Sequence, residues 1–184
     1  MGTRVKDHHL LFFFAFMLSS AVVAQSDDCV YTVYVKTGWI IKAGTDSIIS
    51  LTLYSRDGDY MEISNLETWG GLMEDGHDYF KRTNLDIFSG RGRCLKTAVC
   101  AMNLTSDGSG PHHGWYCDNV EVTSTGAQIS CAQKQFSVGQ WIALDAPPYE
   151  LTAIRNECPY DLKNHRKDQQ QQQIPSDLGH LTDM

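Results

Sequence analysis

Between residues 29 and 159, apolar and polar positions alternate in one short segment after another. In residues 47–54, Ile49, Leu51 and Leu53 face one way while Ser50, Thr52 and Tyr54 face the other, the period of two expected of a strand with one buried face. Residues 30–35 repeat the pattern, with Tyr31, Val33 and Val35 on one side. Further strands are predicted at 61–63, 84–88, 98–104, 115–122, 128–135 and 149–155. Turn formers separate them: Thr37-Gly38, Arg56-Asp57-Gly58-Asp59, Gly70-Gly71, Ser89-Gly90, Asp107-Gly108-Ser109-Gly110-Pro111 and Ser124-Thr125-Gly126. No stretch carries a convincing helical period. Eight short strands at roughly even spacing predict an all-β domain, a sandwich or a barrel.

Both ends of the chain depart from this pattern. Residues 1–24 open with Arg4 and Lys6, run apolar from Leu10 to Val23 and close on Val22-Val23-Ala24. That arrangement predicts a secretory signal peptide cleaved between Ala24 and Gln25. The alternative, a membrane anchor, asks a run of about 14 residues to cross about 30 Å of hydrocarbon. No later apolar run is long enough to span a membrane. Residues 25–159 form the predicted domain, and 160–184, polar with five glutamines from Gln169 to Gln173, are predicted to be disordered. Cleavage removes Arg4, Lys6 and Asp7, so 13 basic and 21 acidic side chains remain of 15 and 22, a net charge of −8. That balance argues against nucleic acid as a partner, because no basic surplus exists to neutralise phosphates. It also argues against simple electrostatic adhesion to anionic lipid.

A secreted chain with six cysteines predicts three disulfides. A zinc site is the alternative, but no pair of cysteines has the CxxC spacing. A hairpin turning near Ser124 would place Cys117 and Cys131 directly opposite each other, close enough to bridge. Cys94 and Cys100, near in sequence, would clip one loop, leaving Cys29 and Cys158 to tie the first strand to the last.

Four ordered segments resemble one known family. Gly44-Thr45-Asp46-Ser47-Ile48-Ile49-Ser50-Leu51-Thr52-Leu53 is similar to the "GTDA-x-V" strand of PLAT domains, the β-sandwich module of lipoxygenases and some lipases. Phe80-Lys81-Arg82-Thr83-Asn84-Leu85-Asp86-Ile87-Phe88 resembles the "F-x-RG-x-x-D-x-F" segment. Asp107 to Pro111, with Gly114-Trp115-Tyr116 and Val120-Glu121-Val122, resembles the later Trp-containing strand, and Gln135-Phe136 with Trp141-Ile142 resembles the closing one. The resemblance covers about residues 29–158. It implies an eight-stranded antiparallel β-sandwich of two four-stranded sheets, and a binding module rather than an enzyme. With a signal peptide and no attached catalytic domain, the chain resembles the small stand-alone plant PLAT proteins linked to stress responses. One departure is Thr83 where the family has glycine; if that position takes a positive φ, Thr83 strains the turn.

The candidate chemistry divides into four parts. Some PLAT domains bind calcium through the loop matching Gly44-Thr45-Asp46 and the loop after the next strand, which makes Asp46, Asp57 and Asp59 the candidate ligands. The alternative is that these aspartates form turns, with Asp86 pairing to Arg82. Trp39, Ile40, Ile41, Trp69 and Leu72 lie in predicted loops and are candidates for membrane or ligand contact; the alternative is that they cover an end of the sandwich. Trp115 and Trp141 are assigned to the core. His112-His113, beside Ser106 and Asp107, would point to opposite faces of a strand and so could not serve one nucleophile or metal. No nucleophile-elbow or metalloprotease motif accompanies them. Asn103-Leu104-Thr105 is an N-glycosylation sequon. The expected function is a non-catalytic module of the endoplasmic reticulum lumen or the extracellular space (apoplast), binding a lipid surface or a protein partner, with or without calcium, in abiotic or biotic stress. The alternatives are a protein-interaction module that never touches lipid and a carbohydrate-binding sandwich.

Overall fold

The computed structural model describes residues 28–126 and 129–159. The predicted signal peptide and glutamine-rich tail lie outside them. Eight strands follow in order: β1 (Asp28–Thr37), β2 (Ile49–Ser55), β3 (Tyr60–Ile63), β4 (Leu85–Arg93), β5 (Val99–Ser106), β6 (Trp115–Gly126), β7 (Ile129–Ile142) and β8 (Thr152–Asn156). They form two four-stranded antiparallel sheets, ordered β4-β1-β6-β7 and β3-β2-β5-β8. The inward faces are the ones the alternation predicts. Tyr31, Val33 and Val35 from β1 and Leu51 and Leu53 from β2 are fully buried, with Phe88, Trp115, Val120 and Phe136 completing the layer between the sheets. Trp115 is also satisfied as a polar group, since its indole N–H donates to Thr37 Oγ1 at 3.0 Å.

A short helix, α1 (Leu66–Gly70), follows β3 where no helical period was expected. Asn65 caps it by accepting from the Thr68 amide at 3.1 Å, and Leu66 anchors it in the core. Five residues are too few to display an apolar period, so capping and one buried leucine are the only local signals.

The disulfides differ from the expectation in number and in pairing. Two bridges form, Cys29–Cys94 and Cys100–Cys158, while Cys117 and Cys131 are free thiols. The reason is register. β6 runs on to Gly126, so Val122 faces Lys134 and Cys117 faces Gln140 rather than Cys131. A turn placed a few residues late displaces every cross-strand pair beyond it. Cys29 pairs with Gly92 across β1 and β4, which brings Cys94 within 4.9 Å Cα to Cα. Ala101 pairs with Asn156 across β5 and β8, which brings Cys158 to Cys100 in the same way. The bridges span 65 and 58 residues. Closing loops of that length removes unfolded-state entropy worth about 4 kcal/mol each on the chain-entropy estimate.

Peptide mapping without reduction should recover the Cys29–Cys94 and Cys100–Cys158 peptides. Alkylation of the folded protein should label exposed Cys131 and spare Cys117, which is fully buried and whose thiol burial pushes well above its ordinary range. Recovery of a Cys117–Cys131 peptide would contradict the observed register.

Candidate functional site

Antiparallel pairing sends all four long connections to one end of the sandwich. Residues 38–48 join β1 to β2, 64–84 join β3 to β4, 107–114 join β5 to β6 and 143–151 join β7 to β8. Both disulfides tie the opposite end. A groove of about 980 Å³ opens among the long loops, lined by Ile41, Lys42, Asp46, Lys81, His112 and Trp141 among others.

Asp46 is the centre of charge in this groove. Its Oδ1 accepts from Lys81 Nζ, and its Oδ2 lies 2.9 Å from His112 Nδ1. Lys81 Nζ also donates to Thr45 O at 2.8 Å and reaches Asp78 Oδ1 at 3.2 Å. Backbone bonds hold the three loops together: the Thr45 amide donates to Phe80 O at 3.1 Å and the Asp46 amide to His112 O at 3.0 Å. Gly44 permits the approach, because a Cβ there would stand 3.0 Å from the Lys81 Cα and the Arg82 nitrogen. Lys81 and then His112 hold the Asp46 carboxyl below its usual range. Burial draws the Lys81 ammonium down, but its bonds to Asp46 and Asp78 outweigh that and leave it above its ordinary value.

Beneath the groove, Asp86 organises the loop that carries Lys81. Asp86 is fully buried on β4. Its Oδ2 accepts from the Phe80 amide at 2.7 Å and its Oδ1 lies 2.7 Å from His77 Nε2. These bonds set Phe80 in a left-handed conformation, φ 57°, with its ring buried against Phe88 and Trp115 at centroid distances of 5.5 and 5.4 Å. Thr83 has φ 70°, so the residue in place of the family's glycine does sit in the strained region. Its amide donates to Gly38 O at 3.1 Å and its carbonyl accepts from Lys36 Nζ at 2.6 Å, which ties the turn to the end of β1. Asp86 therefore pairs with His77 and not with Arg82 as the sequence suggested.

The expected ligand set of Asp46, Asp57 and Asp59 does not assemble. Asp46 precedes β2 and the other two follow it, at opposite ends of a seven-residue strand about 20 Å long. Asp59 is engaged by Arg93 at 3.3 Å and Lys96 at 3.6 Å. Among the described residues, no three His, Cys, Asp or Glu side chains are grouped to hold a metal ion. Asp46, Asp57 and Asp59 therefore do not form the shared site that the resemblance implied. Trp39 is 74% exposed and Ile41 78% exposed at the tip of the first loop, while Ile40 is half-buried beneath them. Trp69 stands apart on α1, half-buried, with its indole over Gly90. Trp141, assigned to the core, is half-exposed and walls the groove beside Tyr116, 5.5 Å away. His112 and His113 lie in a turn, not a strand, and face different carboxylates, Asp46 and Asp145. Asn103 is half-buried on the outward face of β5, paired across to Thr52 and Ile154. Lys81, Asp78 and His77 escaped the sequence reading, because each contacts a partner in another loop or around a bend.

Two antiparallel sheets packed face to face, with their varied chemistry in the loops of one end, define a β-sandwich domain. The PLAT/LH2 domain family model matches residues 31–154, and the chain belongs to that family. It is 55% identical over 148 residues to PLAT domain-containing protein 1 of Arabidopsis thaliana, covering 80% of this chain and 82% of that one. It is 53% identical over 154 residues to PLAT domain-containing protein 2 of the same plant, covering 84% of each. Among solved structures, it superposes on coral 8R-lipoxygenase with TM-score 0.50 at 20% identity, over 78% of this chain and 20% of that one. That enzyme is described as having calcium activation via a C2-like domain; the likeness at this identity shows a shared fold.

Removing the buried carboxylate with Asp86→Ala leaves the Phe80 amide without its acceptor and His77 without its shortest contact, and should cost about 3 kcal/mol of stability by chemical denaturation. The Asp86 carboxylate raises His77 above its ordinary value of 6.5 and outweighs burial. The charged pair therefore contributes in full below that ordinary value and is lost as pH rises through the higher folded value. The stability difference between wild type and His77→Gln should be larger at about pH 5.5 than at about pH 8.5; a difference that grows toward alkaline pH would contradict this pairing.

Proposed function

We propose that this domain is a non-catalytic module that docks on a lipid surface through the tip of its first long loop. The carrying observation is the paired exposure of Trp39 and Ile41 on a rigid turn. Ala43 is buried and its amide donates to Ile40 O at 3.1 Å, while the Gly38 amide donates to Tyr116 O at 2.9 Å. These anchors fix the backbone of the tip, on which both side chains stand in solvent. Ile48, Leu144 and Tyr149, also exposed, belong to loops at the same end. A tryptophan beside aliphatic side chains suits the boundary between headgroups and acyl chains. The net acidity then matters little, because insertion rather than charge attraction supplies the binding energy. Calcium assistance finds support in the description of coral 8R-lipoxygenase, although no three His, Cys, Asp or Glu side chains are grouped among the described residues to hold the ion.

The two disulfides fit a secretory or extracellular protein, and no described helix is long and apolar enough to cross a membrane. Export by a signal peptide at residues 1–24, residence in the endoplasmic reticulum lumen or apoplast, and a role in stress belong to the same proposal, the last resting on the likeness to small plant PLAT proteins. So does glycosylation of Asn103, which lies on the second sheet's outer face.

The test is co-sedimentation with zwitterionic phosphatidylcholine vesicles. Trp39→Ser with Ile41→Ser should reduce the bound fraction at least tenfold. Both side chains are exposed, so the melting temperature should stay within about 0.5 kcal/mol of wild type in equivalent stability. Unchanged sedimentation would reject the lipid surface and leave a protein partner as the ligand of this end.

A further inference from the structure

Three oxygens from two loops converge on one nitrogen in the groove: two from the adjacent residues Thr45 and Asp46, and one from Asp78. Thr45 O lies 2.8 Å from Lys81 Nζ, Asp78 Oδ1 lies 3.2 Å from it, and Asp46 Oδ1 completes the set. A backbone carbonyl and two carboxylates are the donors a hard divalent cation takes. An ammonium presents three N–H donors, and here each has one oxygen. The site opens to solvent on the Asp78 side: the Lys81 side chain is 29% exposed and that of Asp46 33%, while that of Asp78 is 75% exposed. The remaining oxygen of Asp46 is turned to His112, so neither half of that carboxylate is free. A metal entering this position would have to displace Lys81 and then bear its repulsion, since the lysine stem starts from the adjacent loop backbone.

We propose that the Lys81 ammonium is this domain's built-in cation, taking the place at the Gly44–Asp46 loop that a calcium ion would otherwise fill, so that the groove is assembled without calcium. The family likeness implies calcium, and the disagreement has its cause in this one side chain. A metal ion assembles such loops only while its concentration is sufficient. A cation tethered at Lys81 holds Asp46 to Asp78 permanently, and the walls of the groove keep their shape whatever the calcium level. This inference concerns how the loops are held and does not depend on which ligand they meet.

Calorimetric titration and thermal unfolding of the disulfide-intact, full-length protein test it, each in millimolar calcium and in chelator. The wild type should melt at one temperature in both and show no binding heat. Lys81→Met keeps the stem and removes the charge, leaving two carboxylates facing each other. It should melt lower in chelator, recover in calcium, and bind the ion at least tenfold more tightly than wild type. Lys81→Arg restores a cation and should again ignore calcium. Wild-type calcium binding that Asp78→Asn abolishes overturns the proposal, and so does a folded Lys81→Met protein indifferent to calcium. The wild-type titration decides for or against the proposal even if Lys81→Met fails to fold. Vesicle binding enters none of these readouts, so their failure is distinct from failure of the lipid reading.

Discussion

A single buried carboxylate holds the long-loop end together. Asp86 is fully buried on β4 and is the one charged side chain among the buried described residues. A charge in such surroundings is tolerated only where it is fully hydrogen-bonded. Asp86 meets that condition by gathering the Phe80 amide and His77. The consequence runs outward. With its amide bound, Phe80 takes a left-handed conformation and drops its ring between Phe88 and Trp115. Lys81, the next residue, is thereby directed toward Thr45 and Asp46 in the neighbouring loop. The polar groove thus rests on an aromatic floor, and one aspartate joins the two.

The two ends of the sandwich divide the work of stability and recognition. Both disulfides, the short turns and the Asp59 pairs with Arg93 and Lys96 lie at one end. There the covalent links restrain the unfolded chain and protect the edges where the ends of the domain meet the sheets. At the other end, hydrogen bonds between loops replace covalent links, and exposed Trp39 and Ile41 stand clear of the body. Thr83 in a strained left-handed turn belongs to the same region and is held there by β1 through Gly38 and Lys36.

The comparison of ends also separates readings of the acidic residues that composition could not. Asp46 and Asp59 share a residue type and a loop setting, yet one lies in the groove beside Lys81 and His112 and the other beneath Arg93 and Lys96. Neither is a free ligand. The histidine pair likewise resolves into two separate contacts, His112 to Asp46 and His113 to Asp145, so their adjacency carries no shared chemistry.

What the sequence determined by itself is the alternation. Period-two patterning in residues 30–35 and 47–54 decides which side chains leave water, so the eight strands and their buried faces were legible from the residues alone, although β4 runs through Ser89-Gly90 and β6 through Ser124 to Gly126, both expected to turn. These signals are local, and burial of an apolar face is enforced by water whatever the partner. The family was legible for the same reason, since its segments are short and ordered along the chain. Register was not. The pairing of β6 with β7 is displaced by several residues, which exchanges Cys131 for Gln140 opposite Cys117, while the β1–β4 and β5–β8 pairings set the two bridges that form. Nor was the Lys81 cluster, because Thr45, Asp46, Asp78 and His112 meet only after three loops reach one end. Pairing partners are chosen by sheet order and by the energy of the whole layer, and tertiary structure alone decides them.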